Sequence, residues 1–171
     1  MKGLLIQTAR EYRQLEIEVS CCLSRFCNAF CNGCGDCCKP DICVEAVESA
    51  WLRIVREQEG SKISQFSRTT GWLSSKGCRL QAGRPPLCYE FFCERISDHF
   101  RKEAILDSIL AISKLPSTAG QTALGKRHLV TLDDDEIHNK LDFNRLKKKI
   151  TFARKNYLHH VRIVPMSLSD R

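Results

Sequence analysis

The cysteines are the residues whose type and spacing most clearly indicate chemistry in this chain. Of the eleven cysteines among its 171 residues, eight fall between Cys21 and Cys43, and the others are Cys78, Cys88 and Cys93. A deprotonated thiol binds soft and borderline metals, and several thiols in one short segment can bind the same centre. The clustering therefore predicts a metal or iron–sulfur site.

Two stretches of the sequence contain the candidate ligands. The proximal segment, residues 27–38, includes the string CNGCGDCC, whose C-x2-C spacing is typical of zinc knuckles and iron–sulfur loops. The distal segment, residues 71–93, is rich in glycine and proline and is predicted to be a loop that returns its cysteines to the proximal segment. The predicted ligands are Cys27, Cys31, Cys34, Cys37, Cys38, Cys78, Cys88 and Cys93.

Three further cysteines are predicted not to be ligands. Cys21 and Cys22 fall in a predicted helix before the proximal segment, and Cys22 is on its apolar stripe. Cys43 falls in the first turn of the next predicted helix. Because a free buried cysteine behaves as a small hydrophobic residue, we interpret Cys22 as part of the core.

The spacing favours an iron–sulfur cluster, with zinc as the alternative. A [4Fe–4S] cluster accepts three cysteines from a C-x2-C-x2-C loop and a fourth from elsewhere, and Cys31, Cys34 and Cys37 have that spacing. A structural zinc site usually takes two C-x2-C knuckles, and the distal segment has none. The side chains of adjacent residues point in different directions, so Cys37 and Cys38 would seldom bind the same metal ion. Their presence is therefore also compatible with two separate metal centres.

A helix without any metal is the other interpretation of the proximal segment. Cysteines at positions 27, 31, 34 and 38 recur at steps of four, three and four, which is the spacing of one helix face. They could then be small core residues. Gly33 and Gly35 argue against this interpretation, because glycines disfavour the continuation of a helix.

These motifs resemble those of the bacterial YkgJ-like cysteine-cluster family of zinc- or iron-chelating domains. The family pattern C-x2-C-x2-C-C matches residues 31–38, and its second part, C-x5-R-P-x2-C-x2-F, matches residues 78–91. The resemblance implies a chelated metal bound by the matched cysteines. A related cysteine motif occurs in flagellin lysine-N-methylases, so the resemblance is also compatible with redox or protein-modification chemistry on a protein substrate or partner.

Arg84 belongs to the second motif and is a candidate for binding the cofactor. Four thiolates around one centre leave net negative charge, which a guanidinium can offset while it donates hydrogen bonds to loop carbonyls. The alternative is an ordinary loop arginine before a proline turn. Cys27 and Cys93 lie outside the family pattern, so the number of ligands stays open.

The composition indicates a protein of the cytoplasm. With 43% hydrophobic residues and a mean hydropathy of −0.28, the chain has no stretch as long as a membrane span. Its first residues lack the apolar core of a signal peptide. An odd cysteine count and a cysteine-free C-terminal part do not suit a disulfide scaffold, so we predict reduced thiols and no membrane contact.

The net charge of +7 comes entirely from residues 144–171, which carry eight basic side chains and one acidic one. Such a basic helix can contact nucleic acid or an acidic protein surface. The alternative function is therefore a zinc-stabilised binding module. More commonly, however, a run of charged residues simply forms the solvent-exposed face of a helix. The basic residues concerned are Arg145, Lys147, Lys148, Lys149, Arg154 and Lys155.

The apolar periodicity predicts a mainly α fold with little or no β structure. Helices are expected near residues 4–25, 41–60 and 96–112 and from residue 133 onward. We predict a cysteine-cluster helical domain over residues 1–132, with its motif core at 27–93, and a basic helix and tail over 133–171 that pack on the same domain. The cysteine-rich loops are expected to have little apolar content, so that metal bonds hold them together.

Overall fold

A computed structural model describes residues 2–31, 39–58, 66–75 and 77–164. Most of these residues are helical, and the sheet structure among them is one short antiparallel hairpin. The prediction of a small, mainly α fold with little β structure is confirmed. Within the described ranges, no helix is both long and apolar enough to cross a membrane.

The helices form a bundle in which α1 and α9 lie against each other and both contact α7, while α3 packs on α1. The helices are α1 (Lys2–Cys31), α2 (Pro40–Glu48), α3 (Ala50–Glu57), α4 (Leu87–Glu90), α5 (Glu94–Lys102), α6 (Leu106–Ser113), α7 (Leu115–Gly120), α8 (Asp134–Asn139) and α9 (Phe143–Ile163). The hairpin pairs β1 (Leu73–Ser74) with β2 (Gly77–Cys78), and a 3-10 turn spans Leu129–Thr131.

Helix α1 is the element against which much of the fold packs. Its 30 residues correspond to a length of about 45 Å. The apolar stripe predicted from the sequence is buried at Leu5, Ala9, Tyr12, Leu15, Val19 and Cys22, and its last member, Phe26, is partly buried. Tyr12 packs edge-on against Trp51 of α3, with 5.6 Å between ring centroids, and donates a hydrogen bond to the carbonyl of Pro116 at 3.2 Å. The stripe thus joins α1 to α3 and α7.

Helix α1 continues beyond its predicted end. The sequence prediction ended the helix near residue 25 and placed residues 27–40 in a knuckle, whereas the helix extends to Cys31. The physical reason is that no glycine or proline precedes Gly33 in this part of the sequence. In addition, Phe26 packs edge-on against Phe100 of α5, with 6.4 Å between ring centroids, which stabilises the added turns.

Two of the predicted helices are each broken in the structure. The helix expected near residues 41–60 divides at Ser49, whose Oγ accepts a hydrogen bond from the Leu52 N–H at 3.3 Å and so caps α3. The helix expected near 96–112 divides at Ala104, which has a φ of +56°. After α6, Pro116 lies in the first turn of α7, where a proline is tolerated.

The C-terminal part likewise consists of two helices. Asp133 and Glu136 form a capping box at the start of α8. Asp142 caps α9 by accepting a hydrogen bond from the Arg145 N–H at 2.9 Å, so the helix predicted from residue 133 onward is divided into α8 and α9 just before Phe143. Helix α9 packs on α1, α6 and α7 through an apolar face, of which Leu146 is a buried member.

Candidate metal centre

The described residues include part of the predicted ligand set. Cys34, Cys37 and Cys38 lie outside the described residues. The described candidates are Cys27 and Cys31 near the end of α1, Cys78 at the end of β2, Cys88 in α4, and Cys93 as the N-cap of α5. The two cysteine segments are therefore presented in different ways, one by the end of a long helix and the other by a chain of short elements.

Gly83 anchors the distal segment in the gap between α1 and α3. Its N–H donates a hydrogen bond of 2.6 Å to Oε2 of Glu16 on α1. Its φ of +70° favours glycine, and a Cβ at this position would lie 2.5 Å from Cγ of Arg56 and 2.9 Å from the carbonyl oxygen of Leu52. Only a residue without a side chain fits here, so the backbone of the distal segment is held closely against both helices.

The distal segment also buries apolar side chains of its own, and this corrects the sequence prediction that the cysteine loops have little apolar content. The buried side chains are Trp72, Leu80, Ala82 and Tyr89. The Trp72 ring packs beside Phe66 with 5.6 Å between centroids, and the Arg56 guanidinium carbon lies 5.6 Å from the Trp72 ring centroid. Burial of a large apolar side chain contributes about 1.5–3 kcal/mol, so the fold itself stabilises this segment.

Cys43 packs against the start of the distal segment. Gly71 has a φ of +59°, and a Cβ there would lie 2.6 Å from Sγ of Cys43. Cys43 and Cys22 are both buried, and burial raises the pKa of the Cys22 thiol, which disfavours the thiolate form that binds metals. Cys21 is exposed on α1. The prediction that these three are not ligands agrees with their surroundings and remains to be tested.

Arg84 lies within electrostatic range of both Cys78 and Cys88. Its Nε donates a hydrogen bond of 2.6 Å to the carbonyl of Leu80, and its guanidinium carbon lies 5.8 Å from the Tyr89 ring centroid. Burial alone would lower the pKa of this guanidinium. The ionisable groups around it outweigh burial and raise the pKa above its ordinary value; they are Tyr89, Cys78, Cys88 and Glu16. The positive charge therefore lies where it could offset negative charge on the two distal cysteines.

A buried carboxyl group lies behind this arrangement and was missed in the sequence analysis. Glu16 is 0% exposed, and burial raises its pKa to about 8 against the opposing effects of the Gly83 N–H, Arg84 and Tyr89. Tyr89 is among the groups that lower the Glu16 pKa, yet neither its hydroxyl nor Glu16 Oε1 makes a hydrogen bond to a described residue. A signal was present, because Glu16 is four residues after Tyr12 on the predicted apolar stripe.

The end of α1 presents the two proximal cysteines that the structure describes. Cys27 and Cys31 are four residues apart, so they lie on one helix face, and both are partly buried. Arg95 of α5 donates a hydrogen bond of 3.1 Å to the carbonyl of Phe30, where a cation complements the negative end of the helix. The Phe30 ring also packs beside His99 at 4.8 Å between centroids, so α5 covers this helix end.

The described cysteines alone do not form a four-ligand site. Among the residues that the structure describes, no three His, Cys, Asp or Glu side chains form a metal-binding group. The distal pair shares Arg84 as a neighbour, and the α1 pair shares a helix face, so each supplies thiols that a centre could use. An all-thiol donor set beside a guanidinium suits both iron–sulfur and zinc chemistry. Cys34, Cys37 and Cys38 are the candidates for the remaining ligands.

Several basic residues of α9 bind within the fold. Lys147 pairs with Glu11 of α1 at 3.2 Å, and Arg154 pairs with Glu18 through contacts of 2.5 and 3.0 Å. Lys149 donates to Thr122 Oγ1 at 2.8 Å. Half of the six predicted basic residues thus help to attach the helix, and the other three, Arg145, Lys148 and Lys155, are exposed.

No protein-family model matches the chain, and no curated protein or solved structure matches it significantly. The resemblance to the YkgJ-like family therefore remains a prediction that is based on the spacing of two short motifs. Function is accordingly inferred from the geometry around Arg84 and the cysteines.

Proposed function

We propose that this protein binds a thiolate-ligated metal centre between the distal and proximal cysteine segments, with a [4Fe–4S] cluster favoured and zinc as the alternative. Cys78 and Cys88 would be ligands, together with cysteines of residues 27–38. The observation that carries the proposal is that Arg84 interacts electrostatically with both distal cysteines, on a segment that the Gly83–Glu16 hydrogen bond attaches to the core. An ordinary loop arginine would not need two thiols as neighbours.

Each residue of the proposed site has a separate role. Cys78 and Cys88 supply thiolates from β2 and α4, and the Arg84 guanidinium offsets their negative charge. The hydrogen bond from Arg84 to the Leu80 carbonyl fixes the direction of the guanidinium. When bound, an iron–sulfur cluster supplies one-electron transfer, and a zinc ion supplies a rigid link between the two segments.

The surroundings of Cys88 support a role that involves another protein. Both Cys78 and Cys88 are exposed, and Leu87 and Phe91 beside Cys88 are 49% and 51% exposed. Large apolar side chains next to a reactive site are common where a protein partner docks. We therefore propose redox or protein-modification chemistry on a protein partner or substrate, in the cytoplasm, where thiols stay reduced.

Metal analysis of anaerobically purified protein tests the proposal. We expect iron, sulfide and a broad visible absorption, all diminished in Cys88→Ser and retained in the matched control Cys21→Ser. Zinc without visible absorption, again lost in Cys88→Ser, would support the zinc alternative. A protein that contains neither metal, or that keeps its metal in Cys78→Ser and Cys88→Ser, would contradict the proposal.

The outer face of α9 favours a second candidate, a zinc-stabilised module that binds nucleic acid. Phe152 is 61% exposed and lies four residues after Lys148 and three before Lys155, so the three share a helix face. Basic groups with an interposed aromatic ring are the pattern that binds single-stranded nucleic acid through phosphate contacts and stacking.

Salt-dependent binding distinguishes this candidate. An oligonucleotide should bind with an affinity that falls as salt rises, and Lys148→Ala with Lys155→Ala should weaken it. Lys126→Ala, which removes one exposed charge elsewhere, serves as the control. Binding that is absent at low salt, or equal in all variants, would contradict a nucleic-acid function.

A further inference from the structure

The feature that the proposed function does not yet explain is the buried carboxyl group of Glu16 in the middle of α1. A polar group that is removed from water costs free energy unless it is hydrogen-bonded, and an ionised one costs far more. A leucine or methionine would fill this position on the apolar stripe without that cost. A buried carboxyl group at this position is therefore expected to have a specific hydrogen-bond donor.

That partner is the backbone of the distal segment. Oε2 of Glu16 accepts the N–H of Gly83 at 2.6 Å, across 67 residues of sequence. A buried N–H group without an acceptor destabilises the folded state, so this hydrogen bond fixes the position of Gly83 along the axis of α1. The close approach of Gly83 to Leu52 and Arg56 of α3 fixes it on the opposite side.

Arg84 follows Gly83 directly, so any shift of Gly83 also moves the guanidinium. The Arg84 guanidinium lies within electrostatic range of Glu16 and of the distal cysteines Cys78 and Cys88. Tyr89, one residue after Cys88, is buried beside Glu16. The hydrogen bond at Gly83 thus controls the position of the arginine and of the short helix that carries Cys88.

We propose that Glu16 is a positioning residue for the metal centre: through its hydrogen bond to Gly83, it holds Arg84, Cys78 and Cys88 in the arrangement that binds the metal before any metal is present. The inference rests on the proposed function and names the residue of the core that prepares the site. Glu16 is not itself a metal ligand; it acts through the backbone of the distal segment.

The test is Co²⁺ affinity of metal-free protein, read from the thiolate absorption of bound cobalt and from competition with a chelator. Glu16→Met has a similar shape but no acceptor for the Gly83 N–H, and we expect it to weaken Co²⁺ binding roughly tenfold or more, as is typical when an outer partner of a metal site is lost. Glu16→Gln keeps an acceptor and should restore an affinity close to that of the parent protein.

Two controls separate positioning from general stability. Val19→Ala removes buried methyl groups from the same helix, so it should lower the melting temperature while Co²⁺ affinity stays unchanged. Gly83→Ala displaces the same hydrogen bond from the distal side and should reproduce the loss of affinity; it supplies the test if Glu16→Met does not fold.

The outcomes distinguish this inference from the proposed function. If the parent protein binds Co²⁺ through thiolates and Glu16→Met binds it equally well, the positioning role of Glu16 is wrong, while the proposed metal centre is still supported. If Glu16→Gln is as weak as Glu16→Met, the Gly83 hydrogen bond is not the cause. If the parent protein shows neither thiolate-bound cobalt nor an iron–sulfur cluster, the proposed metal centre is wrong, and the positioning role is wrong with it.

Discussion

The two cysteine segments differ in what holds them. Cys78 and Cys88 belong to a distal segment that is fixed between α1 and α3 by Gly83 and stabilised by the buried Trp72. Cys27 and Cys31 are carried on the last turns of a helix whose end is covered by α5. The core thus holds the distal segment in place, so the metal is expected to organise mainly the proximal segment.

The largest expected effect comes from removing a core side chain of the distal segment. Trp72→Ala should lower the free energy of unfolding of the metal-free protein by about 3–5 kcal/mol, because a fully buried ring is lost. Phe152→Ala, which truncates an exposed ring, should change it by less than about 0.5 kcal/mol. Denaturant unfolding measures both, and equal effects would show that the distal segment is not anchored by its own side chains.

Glu16 makes the anchoring of the distal segment depend on pH. Its pKa in the folded protein, about 8, lies above the ordinary value of 4.5, so between these values the folded state binds more protons than the unfolded state. The free energy of unfolding should therefore fall by a few kcal/mol in total as the pH rises from about 4.5 to 8.

Glu16→Gln should remove this part of the pH dependence, whereas Glu18→Gln, at an exposed ion pair, should retain it. Unfolding curves recorded across this pH range measure the difference between the variants. A slope that is identical in Glu16→Gln and the parent protein would contradict a neutral buried carboxyl group.

Metal removal should loosen the two segments unequally. After chelation, amide exchange should accelerate at the end of α1, around Cys27 and Cys31, while the Gly83 amide stays protected by its bond to Glu16. Hydrogen exchange followed by mass spectrometry measures both regions in one sample. Equal loss of protection in the distal segment would mean that metal bonds, not the core, hold it.

The smallest expected effect concerns the core cysteines. Cys22→Ala should leave the metal content intact and lower the free energy of unfolding by about 1–2 kcal/mol, because a small buried side chain is lost. Metal analysis and thermal unfolding of the same preparation check the two parts. Loss of metal in this variant would extend the ligand set into α1 beyond the proximal segment.

The sequence predicts the features that depend on local periodicity. The stripe from Leu5 to Val19 follows helical spacing, and its burial is as expected. The end of α1 at Cys31 was missed because cysteines were interpreted as the start of a knuckle, although no helix-breaking residue comes before Gly33.

The bond between Glu16 and Gly83 could not be predicted from the sequence, because it joins positions 67 residues apart and depends on the packing of α1 and α3. The same holds for the neighbourhood of Arg84. Its motif identified the residue, but only the fold places it beside both Cys78 and Cys88.

X-ray absorption at the metal edge of anaerobically purified protein tests the central claim most directly. We predict a first coordination shell of sulfur at about 2.3 Å, accompanied by iron–iron scattering if the centre is a cluster. Cys88→Ser should reduce the sulfur contribution, and Cys21→Ser should leave it unchanged. A shell made only of nitrogen and oxygen, or a sulfur shell that Cys78→Ser and Cys88→Ser do not alter, would contradict a thiolate centre at the distal segment.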